Sequence, residues 1–463
     1  MSQNKSLRKL LTLSITFALA TGPISGFADD TRVDELEARI AELEALVRQL
    51  VSTQSQPSAA EIAEVESRAE AAATARIDQL MAAHHEEEEA AAKKHSFAVG
   101  GYIKTDMIYS DYSAGSSTGA GRDFYIPGTV PVGDFEARGE SYVDFQAKES
   151  RINFKTTHLL DNGSQLGAFI EMDFLLSGQG DERVSNSFSP RLRHAFLTYD
   201  KWLFGQTWMT FFNVAALPDN LDFVGPAEST IFGRQAMVRY TSGPWQFALE
   251  NPETTITPYG GKTNCDEDGN NCITRIVADD NHMPDLVARY NVNRDWGGFT
   301  VAALLRELRY QNRAAGISDS TNSYGISLSG VFKVGERDDF RWMLSSGKGM
   351  GRYIGLNTAN AAVLDLDGNL ETIDSTGVFG SYRHFWSEQW RSNLTLGYLK
   401  VDNDTQLTGT GVTKDAGSMH VNLIYSPVPK LDIGLEWIYA QREVENGDDG
   451  DLNRLQFSAK YAY

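Results

Sequence analysis

KLDIGLEWIY (residues 430–439) places Leu431, Ile433, Leu435, Trp437 and Tyr439 at every second position, with Asp432, Gly434 and Glu436 among the residues between them. A period of two is that of a β-strand with one apolar and one polar face. The pattern recurs along the chain. In LNRLQFSAKYAY (452–463), Leu455, Phe457, Tyr461 and Tyr463 oppose Arg454, Gln456, Ser458 and Lys460. In WRSNLTLGY (390–398), Leu394, Leu396 and Tyr398 oppose Arg391, Asn393 and Thr395. QLGAFIEMDF (165–174) and SRINFKT (150–156) read the same way, with Ile170 and Phe154 on the apolar face. Strands of about ten residues match a tilted bilayer crossing and exceed the usual sandwich strand. Aromatic residues gather near strand ends, as in SYRHFWSEQWRS (381–392), where an interfacial girdle belongs. Some connections are short (LLDNGSQ, 159–165; YSPVPKLD, 425–432), whereas 113–123, 402–416 and 445–451 read as long polar loops. Residues 96–463 are therefore expected to form an all-β, closed antiparallel transmembrane barrel. Closure calls for an even strand number, and roughly 23 residues per strand and connection gives about 16.

Composition narrows the function. The 463 residues carry a formal net charge of −20, with 42 basic and 62 acidic residues. That balance disfavours nucleic acid as a partner, since phosphate neutralisation needs clustered Lys and Arg. Beyond the extreme N-terminus no apolar run approaches the ~18 residues of a membrane-spanning helix. Lys5, Arg8 and Lys9, then LLTLSITFALA (10–20) and Gly26-Phe27-Ala28, read as a cleaved export signal over 1–28. Val33, Leu36, Ile40, Leu43, Val47 and Leu50 form a heptad seam, so 29–52 is expected to be a coiled coil, although Ile or Val at a with Leu at d leans towards two strands. The Ala/Glu-rich stretch 53–95 reads as a spacer, and its His84, His85 and His95 as solvated residues, with no metal expected. In an exported protein Cys265 and Cys272, flanking CDEDGNNC, are expected to pair. That segment lacks the Glu that would complete a calcium loop. Enzyme signatures fail on spacing. Gly261-Lys262-Thr263 lacks the upstream Gly of a phosphate loop, and GxSxG and HExxH are absent. No cofactor is expected. The alternatives are a structural or adhesive barrel, or a hydrolase built on a Ser–His pair.

Several segments together resemble the DcaP-like trimeric outer-membrane porins. They are GGYIKTDMIYSDY (100–112), ESRINFKT (149–156), RLRHAFLTYDKWLFGQTW (191–208), GRQAMVRYTSG (233–243), PDLVARY (284–290), GKGMGRYI (347–354) and YSPVPKLDIGLEW (425–437). The resemblance implies a homotrimer of 16-stranded barrels with a periplasmic stalk, passing small anionic solutes, notably dicarboxylates and related aromatic acids. It also implies a constriction loop within Met209–Phe232, bearing Asp219, Asp222 and Glu228. The residues support the anion reading independently. Arg151, Arg193, Arg239, Arg289, Arg306 and Arg391 alternate out of phase with apolar neighbours and so belong to the lumen. On the lipid face near the midplane each would cost roughly 2–4 kcal/mol. Their planar forks suit carboxylates, and they are expected to line the pore and bind anions unless they merely balance inward acids. Replacing Arg193 and Arg239 is then expected to weaken anion preference with little loss of stability. The three loop acids are expected to face some of these arginines.

Overall fold

The computed structural model describes residues 94–463, apart from 118, 134–137, 264 and 266–271, together with Ala41 and Ala45. The export signal, the coiled coil and nearly all of the spacer lie outside the described residues.

One antiparallel sheet closes on itself. Its first half comprises β1 (His95–Tyr112), β2 (Ser141–Gln146 continued by Arg151–Leu159), β3 (Gln165–Asp173), β4 (Arg191–Tyr199), β5 (Trp202–Trp208), β6 (Arg234–Ser242), β7 (Trp245–Glu250) and β8 (Asp285–Arg294). The second half comprises β9 (Gly297–Asn312), β10 (Ile317–Val334), β11 (Asp338–Lys348), β12 (Asp374–Phe385), β13 (Trp390–Asp402), β14 (Thr413–Val428), β15 (Leu431–Val444) and β16 (Asp449–Ala462). Seventeen hydrogen-bonded segments make sixteen strands, because both segments of β2 pair with the single strand β1. β16 pairs with β1 from Tyr102↔Ala462 to Tyr112↔Leu452, and so closes the ring.

The alternation read in the sequence decides which face meets lipid. Ile170, Leu396, Leu435 and Phe457 are 40–52% exposed on the outer face. Phe154 pairs with Ile170 and stacks beside the exposed Phe97. The intervening Asn393, Thr395, Glu436, Arg454, Gln456 and Ser458 are buried inside. The connections 160–164, 200–201, 243–244, 295–296, 335–337, 386–389 and 429–430 are short and share one rim with His95 and Tyr463. Trp202–Tyr240, Trp245–Tyr290 and Trp390–Tyr425 pack ring on ring along that rim, an aromatic girdle. The loops 113–140, 174–190, 251–284, 349–373 and 403–412 gather at the other rim, from which 209–233 also departs.

Two stretches that read as long loops are shorter here. β13 and β14 run into 402–416 and leave 403–412; β16 begins at Asp449 and leaves 445–448. Polar hairpins keep their ladder beyond the apolar belt, because composition there reflects water on both faces rather than loss of pairing. At that rim Thr254–Thr257 pairs with Ile276–Ala278 and, in parallel, with Ala362–Leu364, tying two loops over Ile256, Leu308 and Leu370. β2 breaks at Ala147–Ser150. Its segment Ser141–Gln146 pairs with β1 and, among the described residues, with nothing on its other edge.

Candidate functional site: the constriction loop and its arginines

The 25 residues between β5 and β6, 209–233, cross the inside of the barrel. Met209, Phe211, Phe212 and Ile231 bury against Met350, Tyr353, Phe379 and Leu399, so apolar burial draws the loop inward. At its far turn the Glu436 carboxylate accepts from the Leu221 N–H (2.7 Å), the Asp222 N–H (3.2 Å) and Asn220 Nδ2 (3.1 Å). Asn393 and Asn422 both donate to the Asp219 carbonyl. On β13, Gly397 leaves the space the loop needs. A Cβ there would lie 2.2 Å from Glu228 Oε1 and 2.7 Å from Pro226 Cβ.

Of the three loop acids, one forms ion pairs with arginine among the described residues. Asp219 Oδ2 accepts from Arg391 Nε at 2.7 Å and from Arg383 Nη1 at 3.3 Å. Burial alone would raise its pKa, but these guanidiniums outweigh that and hold it below the ordinary value. Asp222 and Glu228 depart from the expectation. Asp222 turns back to cap the N–H groups of Val224 and Gly225 and takes that of Tyr125. Glu228 is fully buried and accepts from Ser418 Oγ at 2.8 Å, and burial pushes it up to about 7. A loop carboxylate packed against a wall finds backbone and hydroxyl donors closer than lumen cations.

The inward arginines fall into distinct groups. On β2 to β4, Arg193 is 1% exposed and donates to Glu171 (2.8 Å) and Asp173 (2.7 Å). Arg191 also binds Asp173, and Arg151 lies 3.4 Å from Glu171. Arg234, which the sequence reading did not single out, joins them. Its guanidinium lies 4.7 Å from the Trp208 ring and, among the described residues, has no ion-pair partner, with Nη1 buried and without an acceptor. Four arginines therefore face two carboxylates, net +2, beside Phe223 and Phe232 of the loop. The neighbouring Lys104 bonds Glu149 and lies 3.5 Å from Asp106, and Lys460 sits over Tyr102, which keeps the wider patch at the same net charge.

Across the lumen Arg341, Arg383 and Arg391 meet Asp339, Asp219 and Asp432, a neutral set. Arg239 and Arg289 have no ion-pair partner among the described residues; they grip the loop's root instead. Arg239 donates to the Trp208 carbonyl (2.5 Å) and Thr210 Oγ1 (2.8 Å), and Arg289 to the Phe212 carbonyl (2.6 Å). Arg306 is buried against Asp285 and the carbonyls of Gly349 and Met350, so it serves the wall rather than the pore surface. Cys265 and Cys272 are joined, Sγ to Sγ, at 2.05 Å. Arg193 and Arg306 are thus inward, as alternation requires, but buried away from free solute. Alternation gives the face of a strand; the loop that later covers it is set by contacts far away in sequence. Arg383 carried a readable signal, two residues from the inward Ser381. Arg234 is the first residue of β6, in phase with the exposed Ala236 and Val238, so alternation does not reveal it.

No curated protein matches the chain. The outer membrane channel DcaP of Acinetobacter baumannii superposes with a TM-score of 0.64 at 22% identity, covering 80% of this chain and 98% of that one. That likeness concerns the fold. OmpT of Vibrio cholerae in its trimer form (TM-score 0.47, 10% identity, 80% of this chain and 100% of that one) is more distant. So is the anion-selective porin from Comamonas acidovorans (0.45, 10%, 80% and 100%). The family described as DcaP outer membrane protein matches residues 84–463. With a closed barrel that presents an apolar belt and an aromatic girdle, and a family match over most of its length, this chain belongs to the DcaP outer membrane protein family of Gram-negative outer membranes.

Proposed function

We propose that the protein is a passive diffusion channel for small anionic solutes, dicarboxylates and related aromatic acids, working as a homotrimer. The observation that carries the reading is the group of Arg151, Arg191, Arg193 and Arg234 against Glu171 and Asp173 alone, beside the constriction loop. A surplus of two positive charges at the narrow level favours anions. Arg234 Nη1 has no protein acceptor among the described residues, next to the faces of Trp208 and Phe232. A carboxylate can pair with this unneutralised guanidinium while an aromatic ring stacks on the same side chains. Assembly is supported by the free edge of Ser141–Gln146. Its Val143 and Phe145 are 54% and 63% exposed, and Phe145 stands level with Met107 and Phe457 of the apolar belt. Lipid cannot satisfy an unpaired backbone edge at that depth, whereas a second copy of the chain can. The test is reversal potential in planar bilayers under a KCl gradient. The wild type should prefer chloride, and R234A should lose severalfold of that preference. A cation-selective wild type, or R234A with unchanged selectivity, refutes the reading.

A further inference from the structure

The long-loop rim encloses a cavity of about 800 Å³, walled by residues of 126–129, 257–262, 274–275, 356–360 and 409–413, by Ile373, Asn403 and Asn446, and by Arg442 at the end of β15. Three of its lining residues are basic, Lys262, Arg275 and Arg442, and among the described residues none is acidic. The region 96–463 carries a net charge of −14, so three basic residues with no acid among the described lining residues are not what composition supplies. The wall is built rather than loosely gathered. Gly261 sits at φ +84°, and a Cβ there would lie 2.6 Å from the Thr408 carbonyl oxygen, so two of these loops meet backbone to backbone.

Both arginines are held by neutral acceptors. Arg275 donates Nε to Asn360 Oδ1 (2.6 Å) and Nη2 to the Asn357 carbonyl (2.5 Å). Arg442 donates Nε to Thr413 Oγ1 (2.9 Å) and Nη1 to the carbonyls of Val130 (3.0 Å) and Gly128 (3.2 Å). Among the described residues neither has an ion-pair partner, and Nη1 of Arg275 and Nη2 of Arg442 have no acceptor. Arg239 and Arg289 are held in the same way at the root of the constriction loop, whereas Arg151, Arg193, Arg306 and Arg391 meet carboxylates. A guanidinium fixed by carbonyls and amides keeps its whole charge and a fixed direction for its remaining donors. That is the arrangement for taking a carboxylate from solution.

We propose that this outer vestibule is a second binding site, distinct from the arginines of the constriction, that captures small dicarboxylates before they pass. Arg275 and Arg442 would each take a carboxylate, and the exposed Lys262 would raise the local anion concentration. The inference rests on the anion-channel reading, and its test separates the two. Succinate, with butyrate as the single-charge control, is added to the compartment facing the long loops while single-channel current is recorded. Wild-type channels should show succinate block well above butyrate block. R275Q/R442Q should lose about tenfold in succinate affinity from that side, with its KCl conductance step retained as the sign of a folded pore. Block from the short-turn side should change less than about twofold. The charge-keeping R275K/R442K should recover part of the loss. If R275Q/R442Q keeps full succinate block from the long-loop side, or loses block equally from both sides, the vestibule site is refuted although the channel stays anion-selective. Loss of anion preference in the wild type would instead sink the channel reading itself.

Discussion

Replacing Asp219 by Asn tests whether the neutral arginine set opposite the +2 cluster tunes selectivity. Asp219 Oδ2 lies 2.7 Å from Arg391 Nε and 3.3 Å from Arg383 Nη1. At an effective dielectric of about 20 these pairs are worth about 6 and 5 kcal/mol before desolvation. Asp219 is 26% exposed, and each guanidinium keeps a second carboxylate, Asp432 or Asp339. Solvent screening then leaves a net loss of about 1–2 kcal/mol. The loop should stay docked, because Glu436 holds Leu221 and Asp222 independently. The electrostatic change is larger in its consequence. Three arginines against three aspartates become three against two. One added unit charge about 8 Å from a permeating ion, at an effective dielectric of about 60, is worth roughly 0.7 kcal/mol. It acts with opposite sign on anion and cation, so the permeability ratio should move about tenfold towards anions, and less as salt rises. Reversal potential across a KCl gradient reads this directly. Because the Asp219 pKa is lowered in the folded protein, its ion pairs are intact above the ordinary carboxylate range and are lost as pH falls through the lowered value. Wild-type selectivity should therefore converge on that of D219N in strong acid. A D219N channel with unchanged or weaker anion preference refutes the reasoning.

Other expectations follow from burial. R193A strands Glu171 and Asp173, both under 10% exposed, and should cost about 3 kcal/mol, since Arg151 and Arg191 remain nearby; urea unfolding measures it. This reverses the sequence expectation of little stability loss. Glu228, at about 7 when folded against an ordinary 4.5, binds a proton more tightly when folded. Stability should thus fall as pH rises from about 4.5 to about 7, and E228Q should flatten that slope in unfolding titrations. L396R, on the lipid face, should destabilise by roughly 2–4 kcal/mol if it lies near the midplane, whereas T395N, on the inner face, should cost less than half of that; equal effects would contradict the assigned facing.

Much of the wall was legible because lipid outside and water inside impose a period of two that each strand records locally. Leu396, Leu435 and Phe457 face outward as alternation requires. The polar tips 402–416 and 445–451 misled, since pairing persists where both faces are wet. Less of the site was legible. Asp219 meets arginines 164 and 172 residues away, and Glu436 binds a loop more than 200 residues upstream. No local pattern encodes such pairs. The sequence identifies inward cations but not which of them a carboxylate will neutralise, and that distinction separates Arg193 from Arg239.

The anchoring of the constriction loop has a mechanical consequence. The segment 209–233 is clamped at its root by Arg239 and Arg289, at its far turn by Glu436, and between by the burial of Phe211, Phe212 and Ile231. Its formal charge of −3 gives a transmembrane voltage something to pull on. Swinging three charges through about a third of the field at 100 mV does only about 2 kcal/mol of work. Unseating the turn means giving up Asp219's two guanidiniums and Glu436's backbone donors at the same time. A beam fixed at both ends does not rotate under so small a load. The strand-to-strand span of this loop should therefore behave as a static filter at physiological potentials, and any voltage-dependent closure of the channel would have to originate in the loops of the outer rim.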